Sequence, residues 1–466
     1  MDILFNMKSQ KPILLSFIFL LYLILFVYIN INSDISIFSL ELFLFLLYGI
    51  CITWTIFTIN KYPLAFIITA LFGLFIYSRF FLDLWHLLPY NIKLQTRFIG
   101  DYFSDETIKE TIITYIFSIM GLMAGFLVID LKNKKTIKKK LIQENFIYRI
   151  GLCCLILSAP GLIYKMYLLI SMVNEFGYLS LYKIDNPSGL IRIIEFTSYK
   201  LYLLGISLLL SCSLNKKQFY VLAILIMVIS GVYLFLGKRS EFGISIIFLI
   251  WYWFSYLYKE KKINIKSSLI ILFILISFSF IFQYINYSRA HSEKNENTND
   301  ISIVSFLATQ GVSGIVLPYY IEYKDIINRE YYPYIMAPII DRIHRGGASI
   351  KVINNTNYLS YELTYAISPE AYLNGEGVGT SYITELYEGG KSSVFLGMFF
   401  LGMFVIFIER KKNTPYIKYL SLLFVMTLLF LPRGEFFEYF YEFILFSLVW
   451  YFSNIVCYKL RSRYGR

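Results

Sequence analysis

Residues 111–129 read TIITYIFSIMGLMAGFLVI, and a basic run from Lys132 to Lys140 follows them. A hydrocarbon core about 30 Å thick is crossed by roughly 20 apolar residues in a helix. The stretch is therefore typical of a transmembrane helix, and the lysines indicate that it ends on the cytoplasmic side. Similar apolar runs recur on both sides of it, from one end of the chain to the other.

The composition agrees with a membrane protein. The 466 residues are 57% hydrophobic and 19% aromatic, and only 16% are charged, which excludes water-soluble folds. We expect an all-α integral membrane protein with about 12 transmembrane helices, forming a single polytopic membrane domain over residues 1–466. The predicted spans are 13–29, 37–59, 63–78, 111–129, 147–172, 196–214, 219–236, 242–258, 269–287, 392–408, 416–432 and 436–457.

The basic clusters give these spans a direction. With the N-terminus inside, every cluster between spans falls on the cytoplasmic side, in agreement with the positive-inside bias. Both termini are then cytoplasmic, and one large extracytoplasmic loop with short helices, residues 288–391, lies between spans 9 and 10. Residues 301–317 within it are apolar, but another crossing there would place the basic segments that follow on the outer side. We therefore interpret 301–317 as an interfacial or re-entrant helix.

Several other functions are disfavoured by the same patterns. The first span has no cleavage site after it, which indicates an anchor and not a removed signal. The formal charge of +12 is distributed between the spans, so it indicates topology and not nucleic-acid binding. The five cysteines all lie in apolar stretches and give no disulfide framework for the loop. The three histidines have no regularly spaced partner ligands, so we expect no metal and no other cofactor.

Two very short outer turns carry arginines against the charge bias. The first holds Lys238 and Arg239, and the second holds Arg433 directly after Pro432. An ionisable residue at membrane level is a functional candidate by default. The alternative is an arginine that reaches the interface and pairs with a neighbouring glutamate.

The large loop adds further groups that suit a phosphate ligand. Arg289 stands at its start, and Arg342 and Arg345 flank a histidine in its middle. One guanidinium group can bind two phosphate oxygens at once. These arginines therefore indicate a ligand with a phosphate or diphosphate head group at the outer face. His344, between two cations, is a candidate base, with Glu385 and Asp341 as rivals, although an ordinary loop histidine fits the pattern equally well.

A glycine-rich turn and many tyrosines complete the loop. The turn begins at Asn374, contains Gly377 and Gly379, and leads to Tyr382, Glu385 and Tyr387. Glycines allow a close approach of backbone to ligand, whereas an ordinary capped loop-to-helix turn is the alternative. Aromatic rings with hydroxyls suit sugars, and they equally suit the bilayer interface. Asn374, Tyr382 and Tyr387 are therefore candidate glycan-binding residues.

Taken together, these features resemble a known family. The motifs are Gly237-Lys238-Arg239-Ser240, Arg289, the loop arginines, Gly377-x-Gly379-x-Ser381-Tyr382-x-x-Glu385-Leu386-Tyr387, and Pro432-Arg433-Gly434. With the many spans and the late outer loop, they resemble bacterial O-antigen polymerases, including the enterobacterial common antigen polymerase branch.

The resemblance implies a specific reaction. A glycosyltransferase of this family, independent of metal, would polymerise undecaprenyl-diphosphate-linked oligosaccharide repeat units into surface polysaccharide of O-antigen, common-antigen or capsule type. The reaction would take place at the outer, periplasmic face of the bacterial inner membrane. Arg239, Arg289 and Arg433, with Arg342, Arg345 and Lys238, would bind the diphosphate. A chain-length regulator and a flippase are the protein partners that it implies, besides the lipid bilayer, and nucleic acid is not a partner.

Three alternatives stay open at the level of the sequence. An O-antigen ligase shares the architecture and the arginines. A flippase for lipid-linked oligosaccharide would also need cations for a diphosphate, but no repeat is evident in the sequence. A structural or sensory membrane protein would tolerate the loss of Arg239 and Arg433.

Overall fold

A computed structural model describes residues 7–31, 35–88, 103–131, 144–177, 180–183, 190–236, 239–257, 302–327 and 332–464. These ranges contain helices and turns and no β-strand, which confirms the prediction of an all-α protein. In chain order the helices are α1 Met7–Ile31, α2 Ile37–Thr58, α3 Pro63–Leu84, α4 Asp105–Leu131, α5 Glu144–Phe176, α6 Ser180–Lys183, α7 Leu190–Ser211, α8 Lys216–Phe235, α9 Arg239–Tyr252, α10 Ile303–Ile327, α11 Ala337–Ile340, α12 Ile350–Asn355, α13 Leu359–Ile367, α14 Pro369–Leu373, α15 Tyr382–Tyr387, α16 Gly390–Lys411, α17 Pro415–Phe430 and α18 Phe440–Tyr464.

Nine helical segments in the described ranges are long and apolar enough to cross a membrane. They support a multi-pass membrane protein. The predicted span 269–287 lies outside the described residues. The predicted count of about 12 spans, and the side on which each loop and terminus lies, stay predictions.

Two helices differ from their predicted ends in ways that matter below. The predicted span 63–78 continues as α3 to Leu84, through a π-helical stretch at Gly73–Tyr77. The segment interpreted as interfacial or re-entrant becomes α10, a helix that runs on to Ile327 and has the length and composition of a span. A 3₁₀ stretch at Gly311–Ile315 accommodates its glycines, and Pro318 falls in the turn that follows, where proline is tolerated.

The described residues group into two compact units. Unit 1 comprises residues 1–132, 258–328 and 386–406, and unit 2 comprises 133–257, 329–385 and 407–466. The single membrane domain inferred from the sequence stays a prediction, and each unit is described by itself.

Unit 1 is organised around α4, and 89% of the residues in the most apolar stretch of this helix are buried. Small residues make this possible, because they let helix backbones approach closely. A Cβ added at Gly121 would lie 2.3 Å from the Phe395 carbonyl oxygen, and one at Gly125 would lie 2.1 Å from that of Phe399. The α4 and α16 helices therefore touch backbone to backbone.

Polar side chains inside unit 1 form hydrogen bonds with one another and with backbone carbonyls where its helices are interrupted. Tyr77 and Ser118 share a hydrogen bond of 2.8 Å, and the Tyr115 hydroxyl donates to the Gly314 carbonyl at 2.7 Å. The latter carbonyl belongs to the 3₁₀ stretch of α10, where regular helical bonding is interrupted. Such partners are required because lipid cannot hydrogen-bond to an exposed backbone group.

Unit 2 packs α5 against α7 and joins α17 to α7, α9 and α18. Tyr419 of α17 stacks on Trp450 of α18, with ring centroids 4.8 Å apart. The Trp251 ring nitrogen donates to Glu409 at 2.8 Å, and Lys412 pairs with the same carboxylate at 2.9 Å. The last helix begins at Phe440. The turn Gly434–Tyr439 before it carries the carboxyl groups of Glu435 and Glu438.

Candidate active site

The loop arginines of unit 2 are positioned by a turn that Asp341 holds in place. Asp341 is 5% exposed, and its Oδ2 accepts the Asn357 backbone N–H at 2.6 Å. Its carbonyl accepts the backbone N–H groups of His344 at 2.9 Å and Arg345 at 3.1 Å. The turn therefore presents Arg342 and Arg345 in a fixed register, while the His344 side chain is exposed.

Arg342 binds the start of α18. Its Nη1 donates to the Glu438 carbonyl oxygen at 2.5 Å, and its Nη2 lies 2.9 Å from Oε1 of Glu442. Lys200 of α7 pairs with the same Glu442 oxygen. Glu442 is 2% exposed, so both cations compensate a carboxylate that is buried in unit 2.

Arg345 faces two carboxyl groups of the turn before α18. Its Nη1 pairs with Oε2 of Glu438 and lies 3.4 Å from Oε2 of Glu435. Its guanidinium carbon also lies 4.9 Å from the centre of the Tyr358 ring, in a cation–π contact. The arginine thus connects the loop to the turn through both charge and an aromatic face.

The two carboxyl groups of this turn differ in charge. Burial raises the pKa of Glu435 to about 8, because Arg345 opposes this effect only in part and Glu438 adds to it. Burial also acts on Glu438, but Arg345 and a hydrogen bond from Glu435 outweigh it and lower the pKa of Glu438. At neutral pH Glu435 is mostly protonated and Glu438 is ionised, so the pair shares one proton.

Glu385 is a third carboxyl group of the same cluster. It is 3% exposed, and Thr380 Oγ1 donates to its Oε1 at 3.1 Å. Its Oε2 is buried without a hydrogen-bond partner in the described part of the chain. Burial, followed by the charge of Glu435, raises the pKa of Glu385 well above its ordinary value. Burial therefore favours the neutral form of the Glu385 carboxyl group, and its Oε2 is left without a hydrogen-bond partner among the described residues.

The glycine-rich turn explains how Glu385 is held. Gly379 has a φ of +81°, a left-handed conformation that glycine adopts without strain. The chain then enters α15, where Ser381 Oγ accepts the Thr384 backbone N–H at 3.2 Å as a cap. The predicted capped turn is thus confirmed, and a close approach of this turn to a ligand stays a prediction.

The other predicted residues lie in different places. Arg433 is exposed on a 3₁₀ turn, and Arg239 is the first residue of α9. Lys238 and Arg289 lie outside the described residues. Asn374 is exposed at the end of α14, Tyr382 stacks on Phe436 with centroids 5.2 Å apart, and the Tyr387 hydroxyl donates to Glu110 at 2.7 Å within unit 1.

Of the predicted residues, the structure thus brings Arg342, Arg345 and Glu385 together. Glu435, Glu438 and Glu442 were not predicted to take part in the chemistry. Their spacing of three and four residues would place them on one face of a helix, and this pattern was the available signal. In the structure the helix begins only at Phe440, so Glu435 and Glu438 lie in the turn before it. In the described ranges no group of three His, Cys, Asp or Glu side chains is arranged to hold a metal ion, and metal independence stays a prediction.

The arrangement has the parts for acid–base and anion chemistry. A carboxyl group with a pKa near 8 can take up or release a proton close to neutral pH. Guanidinium groups next to it can exchange a carboxylate partner for a phosphate. The chain matches the family model described as O-antigen polysaccharide polymerase Wzy over residues 13–462. No curated protein and no solved structure matched the chain.

Proposed function

Because the chain belongs to the O-antigen polysaccharide polymerase Wzy family, whose members polymerise oligosaccharide repeat units, we propose that it joins undecaprenyl-diphosphate-linked units at the outer face of the inner membrane. The observation that carries this proposal is the cluster of Arg342 and Arg345 with Glu385, Glu435 and Glu438 in unit 2. The outer location rests on the positive-inside reasoning from the sequence. A chain-length regulator and a flippase remain proposed partners.

The reaction exchanges one bond at the anomeric carbon of the growing glycan. The bond to the diphosphate oxygen breaks with its electron pair, and the acceptor hydroxyl oxygen forms the new glycosidic bond. Arg342 and Arg345 stabilise the charge that develops on the leaving diphosphate. The proton of the acceptor hydroxyl goes to a carboxylate. No metal is part of this proposal.

We assign the general base to Glu435. Its pKa of about 8 is close to working pH, so the ionised form is both available and basic enough to accept a proton. Asp341 already accepts a backbone N–H in the loop turn, which favours a structural role for it. His344 is exposed and remains a rival base in unit 2.

Glu385 then has a separate role at the acceptor. Its carboxyl group is neutral, and Oε2 is the atom without a protein partner in the described ranges. As a hydrogen-bond donor, Oε2–H positions a sugar hydroxyl near Glu435. Tyr382, Tyr387, Asn374 and the short-turn cations Arg239, Arg433, Lys238 and Arg289 remain proposed ligand-binding residues.

The proposal is tested with full-length protein reconstituted in vesicles with a lipid-linked repeat unit. Wild-type protein is expected to give a ladder of chain lengths, whereas Arg345→Ala leaves single units on the lipid. Arg149→Ala is the matched control, because Arg149 is an exposed arginine of α5. Membrane abundance and melting temperature identify variants that fail to fold. A normal ladder from folded Arg345→Ala contradicts the role of Arg345.

A second arm tests the exchange of partners. Glu438→Gln releases Arg345 from a carboxylate, so it should tighten binding of farnesyl diphosphate by about fivefold, equivalent to about 1 kcal/mol for a partly exposed ion pair. Unchanged or weaker binding would show that Arg345 stays with unit 2 carboxyl groups and does not take up a phosphate.

A further inference from the structure

Arg79 lies in unit 1 and is not part of the proposed site in unit 2. The family match gives it no role either. The predicted span ended at residue 78, but α3 continues to Leu84, so Arg79 lies inside the helix. Its side chain is half-buried. A charged group in that position needs a partner, because a cation removed from water is otherwise destabilising.

In the ranges that the structure describes, the hydrogen-bond partner of Arg79 is a neutral backbone carbonyl. Its Nε donates to the Ala308 carbonyl of α10 at 2.7 Å. The Gly311 backbone packs against the stem of the side chain, where an added Cβ would lie 2.8 Å from the Arg79 Cγ. In the described part of the chain, no carboxylate forms an ion pair with Arg79.

This geometry divides the guanidinium into two edges. Nε is used at the point where α10 changes from α-helix to 3₁₀. The neighbouring Ser78 Oγ lies 2.7 Å from the Leu74 carbonyl oxygen of its own helix and 3.1 Å from the Leu307 carbonyl oxygen of α10. These contacts satisfy carbonyls at a helix end and fix the side chain. The Nη1 and Nη2 groups have no hydrogen-bond partner in the described ranges. That edge is the fork that binds two phosphate oxygens at once.

We propose that Arg79 binds a phosphate of a second prenyl-diphosphate lipid. This inference rests on the proposed function, because joining two lipid-linked units requires an anchor for a second diphosphate besides the one at Arg342 and Arg345. The site lies wholly in unit 1. The ion-pair partner that Arg79 lacks among the described residues is supplied by the substrate, and a fixed, half-buried guanidinium loses little freedom when it binds.

The test uses detergent-solubilised full-length protein with three probes, farnesyl diphosphate, inorganic diphosphate and phosphatidylglycerol dissolved in the same detergent. The variants are Arg79→Ala and Arg79→Lys, with Arg149→Ala as control. Lysine keeps a donor for the Ala308 carbonyl but lacks the fork. At one of the two expected farnesyl diphosphate sites, both Arg79 variants should lose affinity by about tenfold or more, the effect of one charge-assisted pair. The control should bind at both sites as the wild type does.

The outcomes separate the proposal from a purely structural role. If Arg79→Lys binds farnesyl diphosphate normally and Arg79→Ala only lowers the melting temperature, the arginine is a helix cap and the proposal is wrong. Inorganic diphosphate that displaces farnesyl diphosphate from one more site in wild-type protein than in the Arg79 variants supports recognition of the diphosphate group. A loss confined to phosphatidylglycerol assigns Arg79 to ordinary phospholipid and overturns it.

The same experiment distinguishes this inference from the proposed function. If wild-type protein forms polymer and Arg79 variants bind and extend chains normally, only the inference fails. If wild-type protein binds farnesyl diphosphate through Arg79 but forms no polymer from lipid-linked repeat units, the proposed function fails and the anion site stands.

Discussion

Replacing Glu435 with glutamine should remove the pH dependence of polymerisation between pH 6 and 9. Burial raises the pKa of Glu435 to about 8, so about a tenth of the groups are ionised at pH 7 and about nine tenths at pH 9. If the ionised carboxylate is the base, kcat/KM should rise about tenfold over this interval and then level off. A carboxylate with an ordinary pKa would give a flat profile there.

The assay is the initial rate of chain extension by reconstituted full-length protein at subsaturating lipid-linked repeat unit. Glu435→Gln should lower the rate throughout and leave it flat with pH. Glu370→Gln is the control, because Glu370 is an exposed carboxylate of α14 in the same unit. The assignment of Glu435 is refuted if the wild-type profile is flat, or if Glu435→Gln keeps the inflection and His344→Ala loses it.

Stability should change with pH in the opposite direction. The folded pKa of Glu435 lies above its ordinary value of 4.5, so the folded state binds a proton that the unfolded state releases. The resulting stabilisation is complete below about pH 4.5 and is lost as pH rises through about 8. The melting temperature of the wild type should fall from pH 6 to 9, and less so in Glu435→Gln. A rate that rises while stability falls cannot result from better folding.

Three further pairs of substitutions test the role of Glu385 and the packing of two glycines. Glu385→Gln should keep chain extension, because the amide also donates a hydrogen bond, whereas Glu385→Ala should lose it; equal rates for the two variants contradict a donor role. Gly379→Ala should destabilise by about 1–2 kcal/mol at its left-handed φ and reduce activity, while Gly377→Ala, with a Cβ 3.6 Å from its nearest contact, should not. Gly125→Ala should lower the melting temperature through about 1–3 kcal/mol of overpacking, measured against Gly49→Ala, which meets nothing within 4 Å.

The sequence predicted the helical membrane architecture because apolar length and basic clusters are local properties. Short motifs also singled out Arg342, Arg345 and Glu385, which the structure places in one cluster, and their roles stay predictions. The partners of these residues were harder to find, since Arg345 meets Glu438 across 93 positions of the chain. Glu435 and Glu438 are the glutamates that neighbour Arg433 in the sequence, and the fold pairs both of them with Arg345.

Arg79 shows why the remaining site could not be predicted. Its charge ended the apolar run at residue 78, so the segment that follows was interpreted as an outer loop. The helix continues to Leu84 because α10 supplies the Ala308 carbonyl to the guanidinium, an interaction between residues 229 positions apart. A charged residue that ends an apolar run in the sequence can therefore still lie within the helix. This happens when a neighbouring helix has an interruption whose backbone carbonyls accept its hydrogen bonds. The 3₁₀ stretch that makes α10 an imperfect lipid-facing helix also holds the Arg79 side chain in the orientation in which we propose that it binds an anion.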